Sequence, residues 1–247
     1  MAGRGLSYNH TMSEASVLTS LRAAVTKYHM PEEAKELIVD SEFLVLCGVT
    51  AAGKNTIANY LLEHDNFGYV VSHTTRAPRE NHGVLEKNGE AYWFVDDATM
   101  LDLVQKQQFV EVKSVHGDTF YGTSIMSIKN VLGQGKRPLG EIDVQGALEL
   151  VEASDNLRPV FVLPPSYEIW MERLGGRGSI SQGDKDRRFA SAKKELELAI
   201  NHPAFLLLVN NEVELSSAEI MRGISSDPGT QEERRQLARE LLEYINK

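Results

Sequence analysis

The chain has 247 residues, 42% hydrophobic and 25% charged, the proportions of a globular protein with one large domain or two small ones. Its 26 basic and 35 acidic residues give a formal net charge of −9, which argues against a nucleic-acid coat or a binder of acidic membranes. The single cysteine excludes an internal disulfide and a Cys-rich zinc site, and it points to a reducing compartment.

The longest apolar runs, Phe43–Cys47 and Ala204–Val209, are too short to span a bilayer. The opening MAGRGLSYNHTMSEAS lacks the apolar stretch of a secretory signal, so a cytoplasmic setting is expected, with no membrane and no nucleic-acid partner.

Residues 1–40 read as a helical N-terminal extension. Thr11 and Glu14 fit a capping box, and Val17, Leu18, Leu21, Val25 and Tyr28 then share one helical face. Pro31, Glu32 and Glu33 open a second short helix, since proline suits a first turn and acids suit its positive end. A helical hairpin packed on the core is the expectation. An arm that binds a partner or forms a homodimer is the alternative.

From residue 43 short apolar strands alternate with helical stretches. Strands are expected at Phe43–Cys47, Tyr69–Ser72, Tyr92–Val95, Phe109–Val115, Thr119–Tyr121, Leu139–Asp143, Pro159–Leu163 and Phe205–Val209. A helix is expected from Asn55 to Glu63, and residues 73–91 read as loop. Buried strands alternating with helices imply an α/β fold of three layers around a central parallel sheet. The short strands at 92–122 read as a small antiparallel insertion. The segment SSDPGT reads as a breaker, and the tail places Leu237, Leu241, Tyr244 and Ile245 on one face of a C-terminal helix.

The sharpest motif is FLVLCGVTAAGKNT. Gly48, Val49, Thr50, Ala51, Ala52, Gly53 and Lys54 lie between an apolar strand and a helix. That context suits nucleotide phosphate binding: glycines turn backbone N–H groups around a phosphate, the helix N-terminus adds a positive dipole, and Lys54 adds a mobile charge. The strict pattern places a hydroxyl after the lysine to touch Mg²⁺, whereas here Asn55 and then Thr56 follow. Either the Asn55 carbonyl reaches the metal, or phosphates and water hold it while Thr56 bonds a phosphate oxygen.

Arginines gather where loops are expected. Arg76 and Arg79 stand three apart beside hydroxyls in SHTTRAPR, a spacing suited to bidentate capture of a phosphate. Arg173, Arg177 and Arg188 flank the glycine-rich GGRGSISQG, which suggests a mobile lid. Two unit charges about 4 Å apart repel by roughly 4 kcal/mol at an effective dielectric of about 20, so bringing two polyanions together requires such cations.

In serial order these motifs resemble the guanylate kinases. The phosphate loop is followed by SHTTRAPR, NGEAYWFV, FVEV, HGDTFYGTS, LGEIDVQGA, RLGGRGS, DRRF and LVNN, and the likeness covers residues 42–222. The resemblance implies a P-loop kinase fold, with domain 41–224 carrying a GMP-binding insertion at 72–126 and a lid at 174–189. It leaves a C-terminal helix at 225–247. It also implies ATP-dependent phosphorylation of GMP to GDP with Mg²⁺.

Carried over, Ser72, Arg76, Arg79, Tyr92 and Tyr121 resemble ligands of the GMP phosphate. Glu111 and Thr123 resemble readers of the guanine edge, with Asp143 nearby. One carboxylate can accept both guanine N1–H and N2–H₂, whereas adenine has no proton on N1. Lys54, Arg173, Arg177 and Arg188 resemble the transfer residues, and Asn210 the residue near the ATP adenine. Glu141 and Asp143 end a strand where the family uses acids on the water shell of Mg²⁺.

The sequence departs from the family in several places, the N-terminal extension of about 40 residues among them. GVTAAGKNT stands where GPSG and a hydroxyl after the lysine are usual, and the stretch from Arg79 to Tyr92 is longer. Asn211 replaces an aspartate, and the usual acids after Ser179 are missing. A guanylate kinase-like binding module without strong catalysis and a kinase for another phosphorylated acceptor are the alternatives.

Overall fold

The computed structural model describes residues 13–81, 83–115, 117–154, 157–176 and 182–246. The first helix, α1, covers Glu14–Thr26, and α2 covers Glu32–Asp40. Ser13 caps α1, its side chain accepting from Ser16 N at 3.3 Å. The cap is therefore Ser13, one residue before the helix, and the Thr11 of the expected capping box lies outside the described residues.

Strand β1 (Leu44–Gly48) leads through the glycine loop into α3 (Lys54–His64), and β2 (Phe67–Tyr69) follows. The insertion contains β3 (His73–Thr74), β4 (Glu80–Asn81), β5 (Val84–Leu85), β6 (Trp93–Phe94), α4 (Asp97–Gln105), β7 (Phe109–Val115) and β8 (Thr119–Ser124). The chain then runs through α5 (Ile125–Gly133), β9 (Arg137–Glu141), α6 (Val144–Ala153), β10 (Val160–Leu163) and α7 (Tyr167–Gly175). It ends with α8 (Gln182–Asn201), β11 (Leu206–Val209), α9 (Val213–Arg222) and α10 (Pro228–Ile245).

The central sheet has the order β11-β10-β1-β9-β2, and every pairing in it is parallel. Its strands are near-continuous apolar runs because helices cover it: Val45, Leu46 and Cys47 of β1 and all of β10 are buried. The α/β architecture with a central parallel sheet is thus present. The glycine loop leaves the carboxyl end of the middle strand, where open α/β sheets bind ligands.

The second sheet has the order β6-β3-β8-β7. It is mixed rather than antiparallel, because β3 and β6 run parallel while β3–β8 and β7–β8 are antiparallel. The long excursion between β3 and β6 provides the crossover that parallel neighbours need. It holds the antiparallel β4–β5 hairpin in a stretch the sequence presented as loop.

Among the described residues two hydrophobic cores result. The larger surrounds the central sheet and includes Ile38 of α2 and Leu241 of α10. The smaller joins Leu21 of α1 to Met100, Leu101 and Val104 of α4 and to Phe109, Val112 and Phe120 of the second sheet. The N-terminal helices therefore seat on different bodies, α1 chiefly on α4 and β7, and α2 chiefly on α6. Full burial of Leu21 stabilises the insertion by roughly 2 kcal/mol. At the other end, Asp227 caps α10 through Thr230 N at 2.9 Å, with Pro228 in the first turn. The DPGT that reads as a breaker is a helix start.

Candidate active site

The loop after β1 is shaped by its backbone. Gly48 has φ +131°, and a Cβ there would lie 2.4 Å from Val162 O on the neighbouring strand. Gly53 has φ +95°, and a Cβ there would lie 2.1 Å from Asn210 Nδ2. Ala51, between them, adopts φ +62° despite its side chain, a strained left-handed conformation of the kind found at ligand sites.

The loop carbonyls are tied down from several directions. Lys54 Nζ donates to Gly48 O at 2.6 Å and Val49 O at 3.1 Å. Trp170 Nε1 donates to Thr50 O at 2.8 Å, and Asn210 Nδ2 to Ala52 O at 2.9 Å. Arg173 Nη1 reaches Ala52 O at 3.5 Å and Asn210 O at 3.0 Å, and its Nη2 reaches Asn211 O at 3.3 Å. Among the described residues no side chain caps α3, so the positive end of the helix stays open to an anion.

Clefts open beside this loop and the first turn of α3. One of about 290 Å³ is lined by Ala51, Gly53, Thr56, Arg173, Asn210, Asn211 and Val213. A second, about 270 Å³, places Lys54 with Glu141, Asp143 and Glu195. The third, about 370 Å³, places Asn55 with Tyr69, Glu86, Tyr92 and Glu141. Asn55 and Thr56 therefore face different clefts. Arg188 lies half-buried on α8. Arg177 and Ser179, and the middle of the expected lid, lie outside the described residues.

The insertion faces the third cleft. Arg76 is held by Glu86, Nη1 to Oε2 at 2.9 Å and Nη2 to Oε1 at 3.1 Å, with side-chain exposures of only 10% and 14%. The Arg79 N–H also donates to Glu86 Oε2, at 2.8 Å, while the Arg79 side chain is exposed. The Arg76 guanidinium lies 5.2 Å from the Tyr92 ring centre, and Tyr92 packs edge-on to Tyr121 at 5.7 Å. Aromatic faces and one carboxylate thus fix the arginine's plane.

Glu111 is buried, and its Oε1 accepts from Thr123 N at 2.9 Å and Thr123 Oγ1 at 2.7 Å. Ser72 Oγ approaches Thr123 Oγ1 at 3.5 Å. Burial, then the charge of Asp143, pushes the Glu111 carboxyl up to about 8, against the pull of the Thr123 hydrogen bonds and Lys113. Asp143 itself caps α6, its Oδ1 accepting from Gln145 N at 2.9 Å and Gly146 N at 3.0 Å. It sits on the Lys54 cleft and acts on Glu111 through its charge.

Three residues on these walls carry no sequence motif. Glu86 sits beyond the inserted hairpin, and only the structure pairs it with Arg76. Glu195 of α8 faces Lys54, and burial raises its carboxyl pKa. Its signal was an acid beside the buried Ala192 and Leu196 positions of that helix. Tyr69 ends the apolar strand β2.

The guanylate kinase family description matches residues 40–227. The chain belongs to the guanylate kinase family. It is 35% identical over 185 residues to a guanylate kinase of Clostridioides difficile (strain 630), covering 74% of this chain and 87% of that one. It is also 35% identical over 188 residues to guanylate kinase 1 of Oryza sativa subsp. japonica, covering 74% of this chain but 48% of that protein. The chain thus matches about half the length of the rice relative. The crystal structure of guanylate kinase from Anaplasma phagocytophilum superposes with a TM-score of 0.55 at 28% identity, over 82% of this chain and 94% of that chain. Against the family's usual GPSG, Ala51 stands at the second glycine, and the left-handed backbone is kept at a cost of about 1 kcal/mol.

Proposed function

We propose that this chain transfers the γ-phosphoryl group of ATP to GMP, giving ADP and GDP. The observation that carries the reading is Glu111, a buried carboxylate held by Thr123 of β8, the strand that also carries Tyr121 of the aromatic cluster around Arg76. Such a floor accepts the paired N1–H and N2–H₂ donors of guanine, and its arginine rim takes the phosphate. Ser72, Tyr92 and Tyr121 complete that rim, with Arg79 entering from the loop. The ATP triphosphate lies along Gly48–Gly53, and its adenine occupies the cleft of Thr56, Arg173 and Asn210.

In this reading the GMP phosphate oxygen attacks the γ-phosphorus while the bond to the β–γ bridging oxygen breaks. No general base is needed, because that oxygen is already ionised near neutral pH. Lys54, Arg177 and Arg188 offset the charge gathering on the transferred group, while Arg173 braces the loop from the adenine side. Oxygen donors suit Mg²⁺: Asn55 and Glu141 share a cleft wall, and among the described residues no three His, Cys, Asp or Glu side chains form a metal cage. A magnesium ion carried on the ATP phosphates, with most of its water, would screen the two polyanions there.

The working unit is taken as 41–224, with small-molecule partners and a cytoplasmic setting. Among the described residues no helix is long and apolar enough to cross a membrane. ADP release with ATP and Mg²⁺, comparing GMP, AMP, CMP and UMP, tests the proposal. Turnover with GMP alone is expected, with Lys54→Ala lowering kcat and Arg76→Ala raising KM for GMP. A folded chain that binds GMP and releases no ADP would instead make it a binding module.

A further inference from the structure

Glu111 lies beside an irregularity in its own strand. The β7–β8 ladder pairs Phe109 with Ser124 and Glu111 with Thr123, so the register shifts between Phe109 and Glu111. Two residues on one strand then oppose one on the other, the form of a β-bulge, which re-aims side chains but loosens the ladder. Among the described residues β7 is also an edge strand, with no strand on its outer side. At the position before the shift the sheet alone holds the backbone weakly.

The N-terminal arm supplies the missing hold. Tyr28, just past α1, donates from its Oη to Phe109 O at 2.5 Å and accepts from Phe109 N at 3.0 Å. One phenol thus takes both backbone groups of one residue, as a partner strand would. The arm is anchored on both sides of this point. Leu21 of α1 lies in the insertion core, and Arg22 pairs with Asp118 at the β7–β8 turn. Glu33 of α2 pairs with Lys129 of α5, and α2 packs on α6. From β7 itself, Lys113 pairs with Glu149 of α6.

We propose that Tyr28 is a positioning residue for guanine recognition: it clamps the β7 bulge from outside the sheet, and the clamp sets where the Glu111 carboxylate stands. This rests on reading Glu111 as the guanine acceptor. The arm is then part of the nucleotide-selecting apparatus, although it touches no nucleotide. Tyr28 lines a cleft of about 800 Å³ between the arm, β7 and α6, and its ring packs against the insertion core.

The test uses the full chain and Tyr28→Phe, which keeps the ring. Amide hydrogen exchange is read at Phe109, and GMP and ATP affinities by calorimetry. In the unmodified chain the Phe109 amide exchanges slowly for an edge position. In the variant it exchanges faster, GMP affinity falls about five-fold, and ATP affinity is unchanged. In a Glu111→Gln background the effect of Tyr28→Phe on GMP disappears, because the clamp acts through that carboxylate. Unchanged GMP affinity in Tyr28→Phe overturns the inference alone. So does an equal loss in the Glu111→Gln background, which marks general packing. A chain that binds no GMP even with Tyr28 present overturns both this inference and the proposed function.

Discussion

Binding GMP should drive a proton out of the protein, and its source should be Glu111. Burial and the Asp143 charge raise this carboxyl from an ordinary 4.5 to about 8. At pH 7, about one unit lower, roughly ten molecules hold the proton for each that has lost it. Guanine offers two donors and needs the ionised form, so binding at pH 7 releases close to one proton. Expelling it weakens the apparent affinity about ten-fold, or about 1.4 kcal/mol. Raising the pH from 7 to 8 therefore tightens binding about five-fold.

Titration calorimetry at pH 7 in two buffers of different ionisation enthalpy counts the proton. Glu111→Gln supplies the baseline for protons lost by the nucleotide phosphate. Equal proton release by the two proteins, or an affinity that ignores pH between 7 and 8, would refute the reasoning. The free protein should show the opposite trend. Its folded state keeps a proton that the unfolded chain loses, so stability falls as pH rises from about 4.5 to about 8, by at most roughly 5 kcal/mol. Saturating GMP should flatten that fall.

Gly53→Ala places a Cβ 2.1 Å from Asn210 Nδ2 at φ +95°; a loss of about 2 kcal/mol or more and weakened ATP binding are expected in thermal unfolding and titration. Glu86→Gln should cost about 1 kcal/mol and raise KM for GMP several-fold with KM for ATP unchanged, since Arg76 loses its orienting carboxylate. Burial lowers the His73 pKa from 6.5 to about 4, so the unfolded chain binds the proton first as pH falls. Stability should drop between about pH 6.5 and 4 by at most roughly 3 kcal/mol, and urea unfolding of His73→Gln should show a shallower slope.

The parts of the fold legible in the sequence were those whose physics is local. Strands β1, β10 and β11 are fully apolar runs, and their ends moved by a single residue. The phosphate loop was legible because its glycine positions tolerate no side chain. Elements set by distant partners were not legible. The β4–β5 hairpin has only two residues per strand, too few for a period. Arg173 reads in the sequence as an arginine flanking a lid, and its bracing of the loop through carbonyls of Ala52, Asn210 and Asn211 is a set of contacts made across the chain. Asp143 carried two meanings, helix cap and site acid, and the hydrogen bonds assign its Oδ1 to the cap. Tyr28 resembled any apolar-face tyrosine until its hydroxyl was seen on Phe109.

The division into two cores bears on the order in which the chain is made. Tyr28 and Phe109 are 81 residues apart, so joining them closes a long loop at an entropic cost of roughly 4 kcal/mol. On the ribosome α1 emerges before α4, β7 and β8 and waits, its Leu21 exposed, until they have followed. Docking of the arm is therefore a late event in biosynthesis, and a nascent chain that stalls before Phe120 presents a bare amphipathic helix to the chaperones around it.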